Sequence, residues 1–383
     1  MRRVYLDNAA TTPVDPRVIE ATADALALWP GNPSSLYAEG REARAALEKA
    51  RADVARSIGA AHPDEVVFCG SGTESDNAAV LGIARKAVAA GREPHVVVSA
   101  FEHHAVLEAA ESLAREGYAV DLVAPDPHGR IDPAAIGAAL GERTALVSVM
   151  HANNEIGTVQ DIRAIAEAAH ACGAYMHTDA AQSLGKIDVD VRALGCDALS
   201  AAGHKIYAPK GTGILYLRKG TPFAPLLRGG GQEGGLRSGT QSVAGAVGFA
   251  TALKIMGEER PAEMPRLAGL RDTIERELAT RVGSLTVHGS GATRLPHLTN
   301  LGIAGCDGQS LLLHLDEAGF SVSAGSACSS GSAQVSHVLR AIGVAGRTDE
   351  ASLRITVGRW TTAEDVDRFV EAAAAIIETL RSR

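Results

Sequence analysis

The chain has 383 residues, 46% of them hydrophobic, enough to bury a large core and to build two or three structural units. Its 37 Lys+Arg against 45 Asp+Glu leave a formal net charge of -8 with no block of like charges, which argues against a phosphate-tracking surface and against direct nucleic-acid binding. Met1 to Pro13 carries two arginines, Asp7 and Asn8 but no apolar run, and no later stretch is long enough to span a bilayer, so the expectation is no membrane association and a cytoplasmic location.

In chain order, Asp15 to Ile58 reads as helix, broken at Pro30 to Ser35 by turn residues. From about Pro63 to Leu217, short β-rich runs alternate with alanine-rich helical stretches, the pattern of a mostly parallel sheet covered by helices. The strand candidates are Glu65 to Cys69, His95 to Ser99, Ala119 to Val123, Ala145 to Met150, Ala174 to Thr178, Ala198 to Ser200 and Gly213 to Leu217. In such sheets ligands sit beyond the carboxyl ends of the strands, so the residues just after these runs are where chemistry is expected. A glycine-rich stretch, Arg228 to Gly239, precedes a helical pattern over Val243 to Met256 that connects to a smaller α+β unit. That unit has strands at Ser284 to His288 and Leu353 to Val357, and helices at Arg266 to Arg281, Gly308 to Ala318 and Ala363 to Leu380. The expected division is an N-terminal segment 1–15 that joins the small domain, a large domain 16–245 and a small domain 246–383.

The five cysteines, Cys69, Cys172, Cys196, Cys306 and Cys328, are scattered, without a C-x-x-C pair or a His partner at ligand spacing, so neither a disulfide framework nor a metal site is expected. Gly70-Ser71-Gly72-Thr73-Glu74-Ser75 follows a strand and opens a helix, so backbone N–H groups there can face an anion; a glycine turn with an N-cap serves plain folding equally well. Asp179 ends a strand at the ligand edge, and Lys205 follows the next strand in Ala202-Gly203-His204-Lys205. A Schiff-base lysine, a carboxylate that keeps a pyridine nitrogen protonated and a phosphate cup at a helix N-terminus are together what pyridoxal phosphate requires. Lys186 and Lys210 lack the strand, glycine and histidine context of Lys205 and read as solvated or capping.

Nearly the whole chain resembles the cysteine desulfurases among the fold-type-I, class V aminotransferase-like pyridoxal-phosphate enzymes. The motifs are Tyr5-Leu6-Asp7-Asn8-Ala9-Ala10-Thr11-Thr12-Pro13, Gly31-Asn32-Pro33-Ser34-Ser35, Glu102-His103, His151-Ala152-Asn153-Asn154-Glu155-Ile156-Gly157, Asp179-Ala180-Ala181-Gln182, Gly203-His204-Lys205, Arg237-Ser238-Gly239-Thr240 and Gly325-Ser326-Ala327-Cys328. With Ser329-Ser330-Gly331-Ser332 after it, the last is similar to the long-loop NifS and IscS type rather than the SufS type.

The resemblance implies an α/β fold with a mostly parallel seven-stranded sheet, a homodimer, and conversion of L-cysteine to L-alanine with the sulfur held as a persulfide on Cys328 for an acceptor protein. It implies Lys205 as the cofactor-bonding lysine, Asp179 at the pyridine nitrogen, Gln182 at the phenolic oxygen and His103 stacked on the ring with a catalytic part. Gly72, Thr73, His204 and, from a second subunit, Thr240 would hold the phosphate, and Asn154 and Arg354 the substrate carboxylate. By pattern alone His103 equally reads as a core or surface histidine, and Arg354 as the polar face of a strand whose other side carries Leu353, Ile355 and Val357. One position departs from the family: Ala202 stands where a phosphate-binding serine is common. A different pyridoxal-phosphate lyase or aminotransferase of this fold, or a non-catalytic sulfur-relay scaffold, is the competing reading. The sequence does not select among iron–sulfur assembly, tRNA thiolation, thiamine or molybdenum cofactor synthesis and DNA phosphorothioation.

Overall fold

The computed structural model describes residues 2–324, 336–344 and 350–382. After a short N-terminal strand β1 (Val4–Tyr5), seven strands form the main sheet: β2 (Val66–Cys69), β3 (His95–Ser99), β4 (Ala119–Val123), β5 (Leu146–Ser148), β6 (Tyr175–Asp179), β7 (Ala198–Ala202) and β8 (Gly213–Leu217). Their order is β2-β8-β7-β6-β5-β3-β4, and only β8 runs against its neighbours. The near-continuous burial of Val96–Val98, Leu146–Ser148 and Ala198–Ala202 is what a parallel sheet covered on both faces demands.

Because β8 lies antiparallel between β2 and β7, those two strands point the same way and end at the same edge. The turn after β2 therefore meets the turn after β7. A β-carbon on Gly213, in β8 between them, would come within 2.6 Å of the Ser71 carbonyl carbon, so glycine lets the two turns close.

The remaining strands are β9 (Leu285–Val287), β10 (Leu298–Ala304), β11 (Phe320–Ser321) and β12 (Glu350–Thr356). They form an antiparallel sheet of order β12-β10-β9, while β1 pairs in parallel with β11. Strand β10 was not anticipated: Thr299, Asn300 and Gly302 break the apolar alternation, yet the strand is central and buried. The two expected helices over 243–256 and 266–281 are one helix, Val243–Val282. Pro261 and Pro265 each remove one N–H donor, but they lie one turn apart on the exposed side, so the carbonyls they strand face water. Among the described residues, no helix is long and apolar enough to cross a membrane.

The glycine-rich segment after β8 is pinned by a buried ion pair. Arg51 bonds Glu233 through Nη1 at 2.6 Å and Nη2 at 2.8 Å, and the Phe68 N–H donates to the same carboxylate at 2.9 Å. Glu233 has φ of +52°, a left-handed backbone disfavoured with a β-carbon, so these bonds hold it against its preference. Arg51→Ala leaves that carboxylate buried and unpaired, and should cost about 3–5 kcal/mol. A fall in the urea midpoint with unchanged m-value checks this; an unchanged midpoint refutes it.

Candidate active site

The turn after β7 is a 3-10 turn, Gly203–Lys205, and it carries Lys205 to the carboxyl edge of the sheet. Lys205 Nζ donates to the carbonyls of Ala9 at 2.6 Å and Ala10 at 2.8 Å. The turn itself is held from the same N-terminal segment. Thr12 N–H and Oγ1 both donate to the His204 carbonyl, at 2.8 and 3.0 Å, and Thr12 Oγ1 accepts from the Tyr207 N–H at 2.8 Å. Tyr207 takes φ of +65°, so this double anchor sits where the backbone most needs support. Lys186, read from sequence as solvated or capping, is instead buried and donates to the Lys205 carbonyl at 3.0 Å. Burial, and then the positive charge of Lys205, push its ammonium down to about 7.

Asp179 ends β6 and is buried, with Oδ1 accepting from the Ala181 N–H at 2.8 Å. Burial raises its carboxyl to about 6, against the pull of the Ala181 hydrogen bond and Lys205. Gln182, one turn on, donates through Nε2 to the Ala9 carbonyl at 2.9 Å, while its buried Oε1 has no partner among the described residues. His103 caps the helix His104–Arg115 by accepting from the Ala105 N–H at Nδ1, 3.1 Å. Burial first, then Lys205, hold its imidazole down to about 4, so the ring is neutral near pH 7 with its proton on Nε2. The adjacent Glu102 is fully buried and raised to about 8 by that burial.

Facing Lys205 across the β2–β7 edge is the N-terminus of the helix Gly72–Ala89, capped by Ser71 Oγ, which accepts from the Glu74 N–H at 3.0 Å. A β-carbon on Gly72 would lie 3.1 Å from that of Ala202, so the two turns touch. Thr73 is exposed on the first turn. His204 Nδ1 lies 3.2 Å from Thr11 Oγ1, and burial lowers its pKa to about 4. Thr240 lies exposed beyond the glycine-rich segment, which Arg237 ties to Glu74 at 2.7 Å.

Arg354, expected on the polar face of its strand, is almost completely buried. It donates to the Asn154 carbonyl at 3.0 Å and to Asp7 Oδ1 at 2.9 Å, while its buried Nε has no partner among the described residues. Sequence reasoning missed the Asp7 pairing, since the two residues lie at opposite ends of the chain. Thus Lys205, Asp179, Gln182, His103, His204, Asn154 and Arg354 converge through the 7–12 segment and the strand ends, Gly72 and Thr73 border them, and Thr240 points to solvent in this single chain. Cys328 lies outside the described residues. A cavity of about 610 Å³ lined by Asp126, Arg130, Asp132 and Asp161 shares none of these residues; Asp126 pairs with Arg130, and the other two carboxylates cap helices.

The donor set fits pyridoxal phosphate: a lysine at the strand edge, a buried carboxylate one strand away, an amide oxygen with no partner beside them, and a capped helix N-terminus opposite. The chain belongs to the aminotransferase class-V family, which it matches over residues 4–369. Members of that family, the cysteine desulfurases included, are pyridoxal-phosphate-dependent in general. More particularly, the chain is 44% identical over 381 residues to the cysteine desulfurase IscS of Dictyoglomus turgidum, covering 100% of this chain and 96% of that relative. A solved NifS-like protein superposes with a TM-score of 0.91 at 35% identity, over 98% of this chain and 100% of that one. A structure of SspA in complex with cysteine gives 0.81 at 33% identity, over 94% and 99%.

Thr12→Val removes the hydroxyl that serves both His204 and Tyr207 and keeps the shape. Leaving the buried Tyr207 N–H unpaired should destabilise the chain by about 1–3 kcal/mol. Thermal and urea unfolding measure this, and an unchanged stability would mean that the Lys205 turn is held by other contacts.

Proposed function

We infer that this chain is a cysteine desulfurase, which converts L-cysteine to L-alanine and carries the sulfur as a persulfide on Cys328. The observation that carries this reading is the meeting of Lys205, Asp179 and Gln182 at one strand edge, opposite a capped helix N-terminus. When bound, pyridoxal phosphate supplies an electron sink for the substrate's Cα carbanion.

The residues around it have separable tasks. Lys205 would hold the cofactor covalently, and its amine would serve as the base for the substrate's Cα proton. Asp179 supplies the buried negative charge that keeps the ring nitrogen protonated, and Gln182 bonds the phenolic oxygen. His103, neutral by burial, stacks on the ring without adding a competing cation. Gly72, Thr73 and His204, with Thr240 from a second subunit, hold the phosphate, so the working unit is a homodimer. Arg354 reads the substrate carboxylate together with Asn154; its planar guanidinium suits that task, and Asp7 holds it in orientation.

The thiolate of Cys328 attacks the substrate sulfur. The S–S bond forms as the C–S bond breaks, the carbon takes the electron pair and, after protonation, the skeleton leaves as alanine. The persulfide then passes to an acceptor protein in the cytoplasm. A small, polar sequence around Cys328 suits a carrier that must serve both a buried donor and an outside partner.

Lys205→Ala should abolish cofactor attachment and turnover; a variant that retains the cofactor's visible absorbance and releases sulfide would show that another lysine serves. Cys328→Ser is the sharper test, since it keeps size and polarity but removes a thiolate nucleophile. The variant should bind pyridoxal phosphate and cysteine normally, form no protein persulfide by mass spectrometry, and lose alanine production by orders of magnitude. Alanine and sulfide at the normal rate would favour a different pyridoxal-phosphate lyase of this fold.

A further inference from the structure

Alongside Asp179 the main sheet carries a stripe of polar side chains that the reaction outlined above does not use. The register sets Ser148 opposite His177 and Ser200 opposite Asp179, so all four share one face of β5, β6 and β7. The helix Gly72–Ala89 covers that face with Ser75 and Asp76. His177 Nδ1 lies 2.8 Å from Ser148 Oγ and its Nε2 lies 3.0 Å from Ser200 Oγ. Ser75 Oγ lies 2.8 Å from both Ser200 Oγ and the Ile214 carbonyl, and the Ser200 hydroxyl is near enough to Asp76 to pull its carboxyl down against the effect of burial.

Asp76 is the anomaly in this stripe. It is 2% exposed, and its Oδ1 accepts no hydrogen bond from the described residues. Among the described residues, its one ion-pair neighbour is His177 Nε2 at 3.8 Å, a nitrogen already committed to Ser200. Burial holds His177 neutral, down to about 3, so it offers no positive charge. An ionised Asp76 would then be an unpaired buried charge within reach of a second carboxylate, which lost solvation and like-charge repulsion both oppose. Burial, and then the charge of Asp179, raise Asp76 well above the ordinary carboxylate range.

We propose that Asp76 is the protonated member of a buried carboxyl pair and a positioning residue for Asp179, keeping the single negative charge of the pair on the carboxylate that faces the cofactor site. The functional meaning rests on Asp179 serving the ring nitrogen; the protonation state does not. The hydrogen bonds then run one way: Asp76 O–H donates to Ser200, Ser200 O–H to His177 Nε2, and His177 Nδ1–H to Ser148. Ionised Asp76 would reverse every arrow, since Ser200 would donate to it and His177 would carry its proton on Nε2. The tautomer of His177 therefore reports whether Asp76 donates to Ser200 or accepts from it.

Two spectroscopic readouts on the full-length purified protein at neutral pH test this, with turnover as a third. Infrared spectra of protein labelled with 13C in the aspartate side-chain carboxyl should show a protonated-acid carbonyl stretch that shifts with the label, which excludes Glu102 as its source, and that vanishes in Asp76→Asn. Nitrogen-15 NMR of labelled histidine should place the His177 proton on Nδ1. Asp76→Asn, neutral and nearly isosteric, should keep cofactor content and turnover within a few-fold, whereas Asp76→Ala should lose most of both. Absence of the aspartic-acid band, its survival in Asp76→Asn, a His177 proton on Nε2, or equal damage from Asn and Ala would each overturn the proposal. Should Asp76→Asn fail to fold, the wild-type band and tautomer still decide. Failure of the Asp179 reading looks different: Asp179→Ala would turn over normally while the wild-type band and the tautomer remained as expected.

Discussion

Lys205 donates to the carbonyls of Ala9 and Ala10, and the segment that offers those carbonyls also holds the turn on which the lysine stands. Asp7 to Asp15 is a strip of chain with little regular structure of its own, lying between the main sheet and β12. It gives Asp7 to Arg354, the Ala9 carbonyl to Gln182 and Lys205, Thr12 to His204 and Tyr207, and Asp15 to the Tyr207 carbonyl through its N–H. Its N-terminal end is fixed by β1 on β11 and by the Asn8 side chain, which donates to the Thr356 carbonyl at 2.8 Å, and its other end by the Asp15–Arg359 ion pair. Lys205, the buried Arg354 and the side-chain amide of Gln182 are thus placed by one piece of chain. A shift of that strip would move all three.

Burial does most of the electrostatic work around it. Asp179, Glu102 and Asp76 are acidic groups taken out of water, and each is raised by that loss of solvation. His103, His177 and His204 are lowered for the same reason and are neutral near pH 7. The site thereby concentrates its charge on few groups: Lys205 and the Arg354–Asp7 pair, with the buried Asp179 close enough to feel the charge of Lys205. The neutral imidazoles add no competing charge. Such an arrangement suits a reaction that places a protonated ring nitrogen on a carboxylate and an anionic substrate on a guanidinium.

The family motifs were readable because each pairs a local backbone requirement with a chemical group. Gly70 to Ser75 follows a strand and caps a helix, Asp179 ends a strand, and Gly203 to Lys205 turns away from the next one, all within short windows of sequence. The strands of the main sheet were legible for the same reason: Val96–Val98 and Leu146–Val147 are apolar runs that only a doubly covered strand can use. Strand β10 was not, since its polar residues are buried by neighbours distant in sequence. The break expected between residues 256 and 266 failed because proline signals a local cost, and solvent on that side of the helix meets it.

What the sequence determined by itself was therefore the class of fold, the family and the identity of the groups with chemistry, because these depend on residue type and on spacings within one turn or strand. Tertiary structure decided what those groups face. Arg354 read as a polar strand face and is a buried partner of Asp7; Lys186 read as solvated and lies under the Lys205 carbonyl; Asp76 gave no signal at all and is buried where the charge of Asp179 acts on it. Each outcome turns on desolvation and on a partner from another part of the chain. Neither is encoded in local periodicity, since a charge is stabilised or penalised by whatever the fold brings within a few ångströms of it.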